Sequence, residues 1–454
     1  MSRFLIILIL MQATGIFAAE IVRNEQSLTL KLDELMRSPL IKSADVALGI
    51  WDAEDGRQIY ARNTDMSLIP ASLQKLFTST TALHELGIEH RFVTRVGYRG
   101  EIARDSLFGD LVVIADGDPG WTTDFYRSGA HRVFENWADS LYAHGIRTIT
   151  GKVVINIGKF PVYRDSTVWD SSDFAYGYAA ISAPFSFNEN AIIYQINAGK
   201  KVKQAATISA EGGYQYLGYA NQVRTGKKNA KADISVNANS LPNRIVISGT
   251  IPLGGTYSVR AAVPDPHDFT ASVMLQYLRQ KGIVVSGNIG FDPAPPANVA
   301  MEKLFDYPSP PLYAIMGVCV KRSSNLMAEM VYIQLNGGIA TTPAKIRDFA
   351  ARSGISVDSL IIVDGSGLSR KNVLKAEHLG SLLVFAHDQD WFDYFFPSLA
   401  VSGMDGTLKS RMVESPAKGR VFAKTGSMRG IRNIAGYFKA DDGRLYAFVI
   451  LCNK

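Results

Sequence analysis

One short apolar stretch opens the chain, and periodic patterns of apolar and polar residues follow it. Arg3 precedes apolar residues 4–11, and small residues then continue to Ala19. A basic start, a short apolar core and a small-residue exit are typical of a secretory signal peptide. An apolar core this short does not span a bilayer of about 30 Å comfortably. We therefore predict a signal peptide over residues 1–19, export of the rest, and no stable membrane anchor.

Two strand-like segments and one helical stripe come next. Residues 46–51 and 58–61 are apolar segments on either side of an Asp-Gly turn, which predicts two antiparallel strands. In residues 72–86, apolar side chains recur at three- and four-residue spacing, and Gly87 follows. This spacing predicts a helix that ends at the glycine.

The pattern changes between residues 92 and 266. Short alternating segments lie between turns rich in Gly, Asn and Pro, at 92–98, 110–115, 152–157 and 244–249. Alternation of this kind predicts half-buried strands. We interpret the region 92–266 as an insertion that is mostly β-structure and divides into two subdomains.

Helices and then strands complete the chain. We predict helices at 269–281, 312–320, 325–335 and 343–352, the last with Thr342 as its N-cap, and strands at 420–425, 433–439 and 444–451. Two N-terminal and three C-terminal strands can complete one sheet. We therefore expect an α+β fold, with a five-stranded antiparallel sheet flanked by helices. Residues 20–91 and 267–454 would form this domain.

Composition narrows the function classes. The chain has 454 residues and a net charge of +6, but no basic cluster interleaved with aromatic residues, so we expect no nucleic-acid partner. Its seven histidines show no metal-ligand spacing, so we expect no metal and no cofactor. Cys319 and Cys452 lie in apolar surroundings, which favours two buried thiols.

Ser72 and Lys75 open the first predicted helix at a spacing of one turn. Residues three apart share a helix face, so the amine can reach the hydroxyl. A serine hydroxyl needs an adjacent base to act as a nucleophile, and a buried lysine with a lowered pKa can serve. The same spacing occurs at Ser415 and Lys418, but Gly419 follows at once and no helical stripe is present. We interpret that second pair as a turn.

Two further motifs carry polar groups suited to the same chemistry. Ser323 and Asn325 come just before a predicted helix, where a hydroxyl can relay a proton and a carboxamide can hold a substrate amide. Lys424, Thr425 and Gly426 end an apolar strand. An amine and a hydroxyl there suit a carboxylate, and glycine allows the ligand backbone to approach.

The order of these motifs resembles that of the penicillin-recognising serine enzymes. Residues 70–78, 117–119, 364–370 and 403–408 extend the likeness. Over nearly the whole chain, the sequence resembles the D-alanyl-D-alanine carboxypeptidase/endopeptidase family, the low-molecular-mass class C penicillin-binding proteins. The long insertion is part of this resemblance.

The resemblance implies a role for each motif residue. Ser72 would be acylated, Lys75 would take its proton, Ser323 would protonate the leaving group, and Asn325 would orient Lys75 and the substrate amide. Lys424 and Thr425 would hold the terminal carboxylate, Gly426 would let the substrate approach, and the backbone N–H groups of Ser72 and Ser427 would form the oxyanion hole. Ser324 departs from the family, which often has Asp or Asn at this position. We expect this difference to adjust the level of activity rather than to abolish it.

The implied function is a serine-type D-Ala-D-Ala carboxypeptidase, DD-endopeptidase or both. Its substrates would be peptidoglycan stem peptides and its covalent inhibitors β-lactams, in the periplasm or outside the cell. The sequence does not separate the two peptidase activities, nor does it define an oligomeric state. A β-lactamase and a non-catalytic module that binds peptidoglycan or a partner are the alternatives.

Overall fold

The computed structural model describes residues 25–39, 41, 43–126, 129–214, 216–238, 243–335 and 341–454. The predicted signal peptide over residues 1–19 lies outside this range. Within the described ranges, no helix combines the length and the apolar character needed to cross a bilayer.

The α-helices of the described chain are numbered in chain order. They are α1 (Glu25–Met36), α2 (Gln74–Leu86), α3 (Arg132–Ala143), α4 (Pro266–Gln280), α5 (Leu312–Arg322), α6 (Asn325–Gln334), α7 (Thr342–Arg352), α8 (Ala376–His387) and α9 (Phe392–Phe395).

The strands are numbered in the same way. They are β1 (Asp45–Asp52), β2 (Gln58–Arg62), β3 (Val93–Ala103), β4 (Ser106–Ile114), β5 (Thr148–Ile149), β6 (Val153–Asn156), β7 (Ala191–Asn197), β8 (Thr207–Ala210), β9 (Gly218–Gly226), β10 (Asp233–Ala238), β11 (Arg244–Pro252), β12 (Thr256–Ala262), β13 (Val284–Val285), β14 (Ile289–Asp292), β15 (Glu302–Pro308), β16 (Ala400–Val401), β17 (Val421–Met428), β18 (Ile431–Lys439) and β19 (Leu445–Asn453).

The chain divides into two compact units. Unit 1 comprises the described residues up to His90 together with Pro311–Lys454, and unit 2 is Arg91–Pro310. We expected the insertion to end at residue 266, and this second boundary is wrong. Strands β13, β14 and β15 pair with β5, β6 and β3, and α4 shares the hydrophobic core of unit 2. These contacts extend the inserted unit to Pro310.

Unit 1 is built on one antiparallel sheet with the strand order β16-β17-β18-β19-β1-β2. The five strands expected from the sequence are β1, β2, β17, β18 and β19, and the two-residue edge strand β16 makes a sixth. The register pairs the first strand with the last along its whole length, from Asp45 with Asn453 to Asp52 with Tyr446.

Both faces of this sheet are covered by helices, which explains why β1 is almost continuously buried. On one face, Leu48 and Ile50 share a hydrophobic cluster with Leu28 and Leu32 of α1. On the other face, the Trp51 indole lies against α8, where a Cβ at Gly380 would stand 2.5 Å from the ring. Successive strand side chains point to opposite faces, so β1 anchors both layers.

The described residues of unit 2 form three sheets around one large hydrophobic cluster. The sheets are β13-β5-β4-β3-β15 with β6 and β14 attached, β10-β11-β9, and β12-β7-β8. One cluster of buried side chains contains members of all three, including Val113, Tyr194 and Ile247. The expected division into two subdomains is therefore not visible in the core. The unit is also less purely β than expected, since it contains α3.

Two local expectations differ from the structure. The N-cap of α7 is Thr341 rather than Thr342, whose hydroxyl instead donates to the Tyr332 carbonyl oxygen at 2.9 Å. The predicted helix at 72–86 begins with a 3₁₀ turn, Ala71–Leu73, before the α-helical part. This turn determines the position of Ser72.

Candidate active site

Ser72 lies in the 3₁₀ turn that leads into α2. Ala71 before it adopts a left-handed backbone conformation (φ +49°), which is uncommon for a residue with a side chain and is held here by burial. Lys75 follows in the first turn of α2, and its Nζ is 3.2 Å from the Ser72 Oγ. The predicted approach of this amine to this hydroxyl is therefore present.

The Lys75 side chain is completely buried, with 0% of its surface exposed. Its Nζ donates to the Asn325 Oδ1 and to the Ser366 carbonyl oxygen, each at 2.6 Å. Burial lowers the pKa of this amine from 10.5 to about 8, against the opposing effects of Cys319 and of the Glu329 and Asp364 carboxylates. A neutral amine can make both of these donations and still direct its lone pair at the Ser72 hydroxyl.

Two buried carboxylates shape the loop that carries the Ser366 carbonyl. Glu329 of α6 accepts the backbone N–H of Gly365 at 3.1 Å and of Ser366 at 2.7 Å. Asp364 accepts the backbone N–H of Gly367 at 2.8 Å and of Ser369 at 2.7 Å. Burial, followed by the Asp364 charge, raises the pKa of Glu329 above its usual range. The Glu329 contacts were not foreseen from the sequence.

The junction between α5 and α6 positions the second motif. Ser323 ends α5 in the left-handed conformation (φ +64°), and Ser324 caps α6 by accepting the Met327 N–H at 3.3 Å. Asn325 is the first residue of α6 and holds Lys75. Ser324 therefore has the structural role of a helix cap, while its two neighbours serve the site.

Lys424 of β17 connects the third motif to the second. Its Nζ donates to the Ser323 Oγ at 2.8 Å and to the Thr425 carbonyl oxygen at 2.7 Å. Burial, followed by the charge of Lys75, lowers the pKa of Lys424 well below its usual range. The Thr425 hydroxyl donates to the Thr407 Oγ1 at 2.9 Å. Two buried amines thus lie in one polar cluster.

Gly426 brings β17 close to the turn that carries Ser72. A Cβ at this position would stand 2.6 Å from the Pro70 carbonyl oxygen and 3.4 Å from the Ala71 Cβ. Asn433 of β18 secures the same turn, because its Nδ2 donates to the Ile69 and Pro70 carbonyl oxygens at 2.9 Å each. No pattern in the sequence indicates the Asn433 contacts, which span 363 residues and more.

The structure thus brings together Ser72, Lys75, Asn325, Ser323, Lys424, Thr425 and Gly426, all within unit 1. Ser427 is on the same strand and is exposed. The loop at 364–370, part of the resemblance, supplies the Ser366 carbonyl. Residues 117–119 lie in unit 2. Ser415 accepts the Ala417 N–H within a turn, as expected of the second Ser-Lys pair.

The two thiols and the possible metal ligands were the remaining candidates. Cys319 and Cys452 are both buried and form no disulfide, and the Cys319 thiol donates to the Ser324 carbonyl oxygen at 3.5 Å. Among the described residues, no group of three or more His, Cys, Asp or Glu side chains could hold a metal ion.

Comparison with known families agrees with the geometry. The profile of the D-Ala-D-Ala carboxypeptidase 3 (S13) family matches residues 28–454, which is nearly the whole chain. The chain belongs to the D-Ala-D-Ala carboxypeptidase 3 (S13) family. The protein is therefore a D-Ala-D-Ala carboxypeptidase whose substrates are peptidoglycan peptides, which confirms the family predicted from the motifs.

Individual relatives are distant but cover most of the chain. A D-alanyl-D-alanine carboxypeptidase from Actinomadura sp. (strain R39) is 28% identical over 450 residues, which is 93% of this chain and 80% of that protein. The D-alanyl-D-alanine carboxypeptidase DacB of Haemophilus influenzae is 25% identical over 409 residues, 86% of this chain and 81% of that protein. The crystal structure of penicillin binding protein 4 (dacB) from the same species matches with a TM-score of 0.78 and 23% identity over 91% of each chain. This likeness confirms the α+β DD-peptidase fold.

Proposed function

We propose that this carboxypeptidase works through a covalent acyl-enzyme on Ser72, with Lys75 as the general base. One observation carries the proposal: a fully buried amine with a pKa of about 8 lies 3.2 Å from the Ser72 hydroxyl oxygen. An efficient general base has a pKa near the working pH and lies within hydrogen-bond reach of its proton. Asn325 and the Ser366 carbonyl use the two N–H groups of the neutral amine, so the lone pair faces the serine.

Acylation begins when the Ser72 Oγ attacks the carbonyl carbon of the penultimate D-Ala. Its proton moves to the Lys75 Nζ as the carbon–oxygen bond forms. The backbone N–H groups of Ser72 and Ser427 would hold the developing oxyanion, and each such donor is typically worth about 10²–10³ in rate. Ser427 is exposed on its strand, which leaves it open to the substrate.

Expulsion of the terminal residue requires one more proton transfer. The carbon–nitrogen bond breaks, and the proton held by Lys75 passes to the leaving nitrogen through the Ser323 hydroxyl. Lys424, which already donates to Ser323 at 2.8 Å, would bind the terminal carboxylate together with Thr425. Charge on Lys424 disfavours charge on Lys75, so a bound carboxylate that keeps Lys424 protonated also helps to keep the base neutral.

Hydrolysis of the acyl-enzyme completes the cycle. Water adds to the ester carbonyl and gives up a proton to the neutral Lys75. The bond from the carbonyl carbon to the Ser72 oxygen then breaks, and Lys75 returns that proton to the Ser72 oxygen. The same steps cut a cross-link if the leaving amine belongs to a second stem peptide rather than to free D-Ala. We therefore propose that DD-endopeptidase activity uses the same residues, and that the protein is exported to reach this substrate.

β-Lactams would acylate Ser72, and the resulting acyl-enzyme would hydrolyse slowly. A β-lactamase needs a group that activates the deacylating water. The buried carboxylates close to Lys75 are Glu329 and Asp364, and both already accept backbone N–H groups of the 365–369 loop. This use of their oxygens favours a peptidase that is inhibited by penicillin over an enzyme that destroys it.

Mass spectrometry of reactions with purified muropeptides tests the proposal. Uncross-linked pentapeptide and cross-linked dimer are incubated with the wild type, Ser72→Ala and Ser415→Ala. We expect release of D-Ala and cleavage of the dimer by the wild type and by Ser415→Ala, whose serine has the same spacing to a lysine. Ser72→Ala should release neither product. Full activity of Ser72→Ala would exclude the mechanism, and an intact dimer with D-Ala released would limit the enzyme to carboxypeptidase action.

A further inference from the structure

Unit 2 contains a cavity whose role is not explained by the chemistry at Ser72. It has a volume of about 580 Å³ and is lined only by residues of unit 2. One wall comes from the segment around the 3₁₀ turn Ser171–Asp173, and the other comes from β10, β11 and the end of β12. Leu217, Ile245 and Val263 make part of the lining apolar, while asparagine, serine and arginine side chains supply polar groups.

Two arginines among the lining residues have no acidic partner in the described part of the chain. Arg164 stacks on the Phe174 ring, with its guanidinium carbon 4.6 Å from the ring centroid, and it makes a long hydrogen bond of 3.5 Å to the Phe174 carbonyl. Arg244 is at the start of β11, and no ion pair or side-chain hydrogen bond to a described residue engages it. Both side chains are exposed, so each guanidinium is open to a ligand from solvent.

The acidic residues next to the lining along the chain make other contacts. Asp165, which follows Arg164, accepts the Thr167 N–H at 2.7 Å, and Asp265, which follows Pro264, accepts the Asp268 N–H at 3.0 Å. Asp170 caps the 3₁₀ turn by accepting the Ser172 backbone N–H at 3.0 Å and the Ser172 hydroxyl at 2.8 Å. Asp173 accepts the Tyr178 hydroxyl at 2.6 Å. The described lining itself contains no acidic residue. Its positive charge is therefore not neutralised from within.

Gly218 leaves room for the Arg244 side chain. Arg244 pairs with Gly218 in the parallel ladder of β11 and β9. A Cβ at Gly218 would stand 3.3 Å from the Arg244 Cγ and 3.4 Å from its Nε, so the side chain lies across this glycine.

We propose that this cavity is a second binding site, which takes a carboxylate-bearing segment of a peptidoglycan stem peptide. Arg164 and Arg244 bind the carboxylate, because guanidinium groups match carboxylates with paired hydrogen bonds. The apolar lining accommodates the adjoining side chain, and Asn237 supplies amide contacts for a peptide backbone. The identity of the ligand rests on the proposed function, since it assumes that the protein meets peptidoglycan.

The test separates this site from the one at Ser72. Binding of a soluble muramoyl pentapeptide to the full chain is measured by calorimetry before and after treatment with benzylpenicillin, and intact mass reports the acylation independently. We expect acylated wild type to retain one binding event. Arg164→Gln/Arg244→Gln should weaken this event about tenfold or more, while the rate of acylation stays unchanged.

Matched controls identify the carboxylate as the recognised group. Arg279→Gln removes the same charge from α4 of the same unit, outside the cavity, and should bind like the wild type. A pentapeptide with amidated carboxyl groups should bind as weakly to the wild type as the acid form binds to the double variant. The proposal would be overturned if the wild type bound the acid and amidated peptides equally, or if the double variant bound the acid form as tightly as the wild type. Absence of binding to the acylated protein would also overturn it. A missing mass increase would instead contradict the acyl-enzyme at Ser72 and leave the comparison of the arginine variants valid.

Discussion

The proposed chemistry depends on the charge of a single amine, Lys75. Lys75 is enclosed by a hydroxyl, a carboxamide oxygen and a carbonyl oxygen, and burial brings its pKa down to about 8. Protonated, it would donate to all three neighbours and could accept nothing from Ser72. Deprotonated, it can take the serine proton. In the proposed mechanism, the active fraction of the enzyme is therefore the fraction with neutral Lys75.

This ionisation predicts how acylation depends on pH. Because the neutral fraction grows as pH rises through the pKa, the rate of acylation by benzylpenicillin should increase through about pH 8 and level off above it. The rate is measured by quenching and intact mass between pH 6 and 10. A rate that stays flat, or that falls over this interval, would contradict the role of Lys75 as base.

Glu329 is predicted to act as a positioning residue. In Glu329→Gln, an amide NH₂ must face a backbone N–H of Gly365 or Ser366, a mismatch that costs about 1–3 kcal/mol of stability. The Ser366 carbonyl should shift and acylation should slow. Loss of the carboxylate also removes a charge that favours protonated Lys75, so the pH profile should move to lower pH.

Urea unfolding and the acylation profile together test this role. Glu414→Gln, an exposed position in the same unit, serves as the control and should match the wild type in both. A destabilised Glu329→Gln protein with an unshifted pH profile would show that the carboxylate supports the fold without tuning the base.

Glycine residues allow a strand and a loop to pack closely against the turn of Ser72. Gly426 allows β17 to lie against the turn of Ser72, and Gly367 does the same for the 364–370 loop, where a Cβ would stand 1.9 Å from the Ala71 carbonyl oxygen. Three separate segments of chain therefore meet at one turn. How closely these segments approach one another sets the distances between Ser72, Lys75 and β17.

Gly426→Ala tests this packing. The added Cβ would stand 2.6 Å from the Pro70 carbonyl oxygen, so β17 or the turn must move. We expect a loss of about 1–3 kcal/mol in stability and acylation slower by about 10²-fold, as a displacement near 1 Å can cause. Labelling with a fluorescent penicillin and thermal unfolding measure the two effects.

Gly317→Ala is the matched control. Gly317 lies inside α5, and no atom outside the backbone of that helix would lie within 4 Å of an alanine Cβ there. Alanine should therefore stabilise the helix by about 0.5–1 kcal/mol without changing labelling. If both substitutions leave the labelling rate unchanged, the close approach at Gly426 is not needed for catalysis.

The sequence predicted the helices and strands that carry the motifs, but not the long-range contacts that hold them together. The apolar periodicity located α2, α5, α6 and the strands of unit 1, because each pattern is local. It did not locate α3, although Val133, Phe134, Trp137 and Leu141 follow a helical period. The contacts of Glu329 and Asn433 with distant backbone groups could not be predicted, since they depend on the tertiary fold.

At the scale of the whole molecule, every contact described at the site lies in unit 1. The two chain segments of unit 1 lie side by side at the points where the chain enters and leaves unit 2. There the Leu312 N–H donates to the His90 carbonyl at 2.9 Å and the Tyr313 N–H to the Ile88 carbonyl at 3.1 Å. The gap left by residues 91–310 is therefore short enough for a small loop to bridge.

Replacing residues 91–310 with a short Gly-Ser loop is predicted to leave a folded unit that still reacts with penicillin. Insertions and deletions are tolerated where the flanking backbone ends are close together. Circular dichroism reports folding, and fluorescent penicillin reports the site. A folded product that fails to label would show that unit 2 supplies something the reaction requires.

The most direct test of the central claim is to locate the covalent bond. Protein treated with benzylpenicillin is digested, and the modified peptide is sequenced by mass spectrometry, for the wild type, Ser72→Ala and Ser415→Ala. We predict one adduct, on Ser72, in the wild type and in Ser415→Ala, and none in Ser72→Ala. An adduct on another residue, or one that survives in Ser72→Ala, would contradict the assignment of Ser72 as the nucleophile.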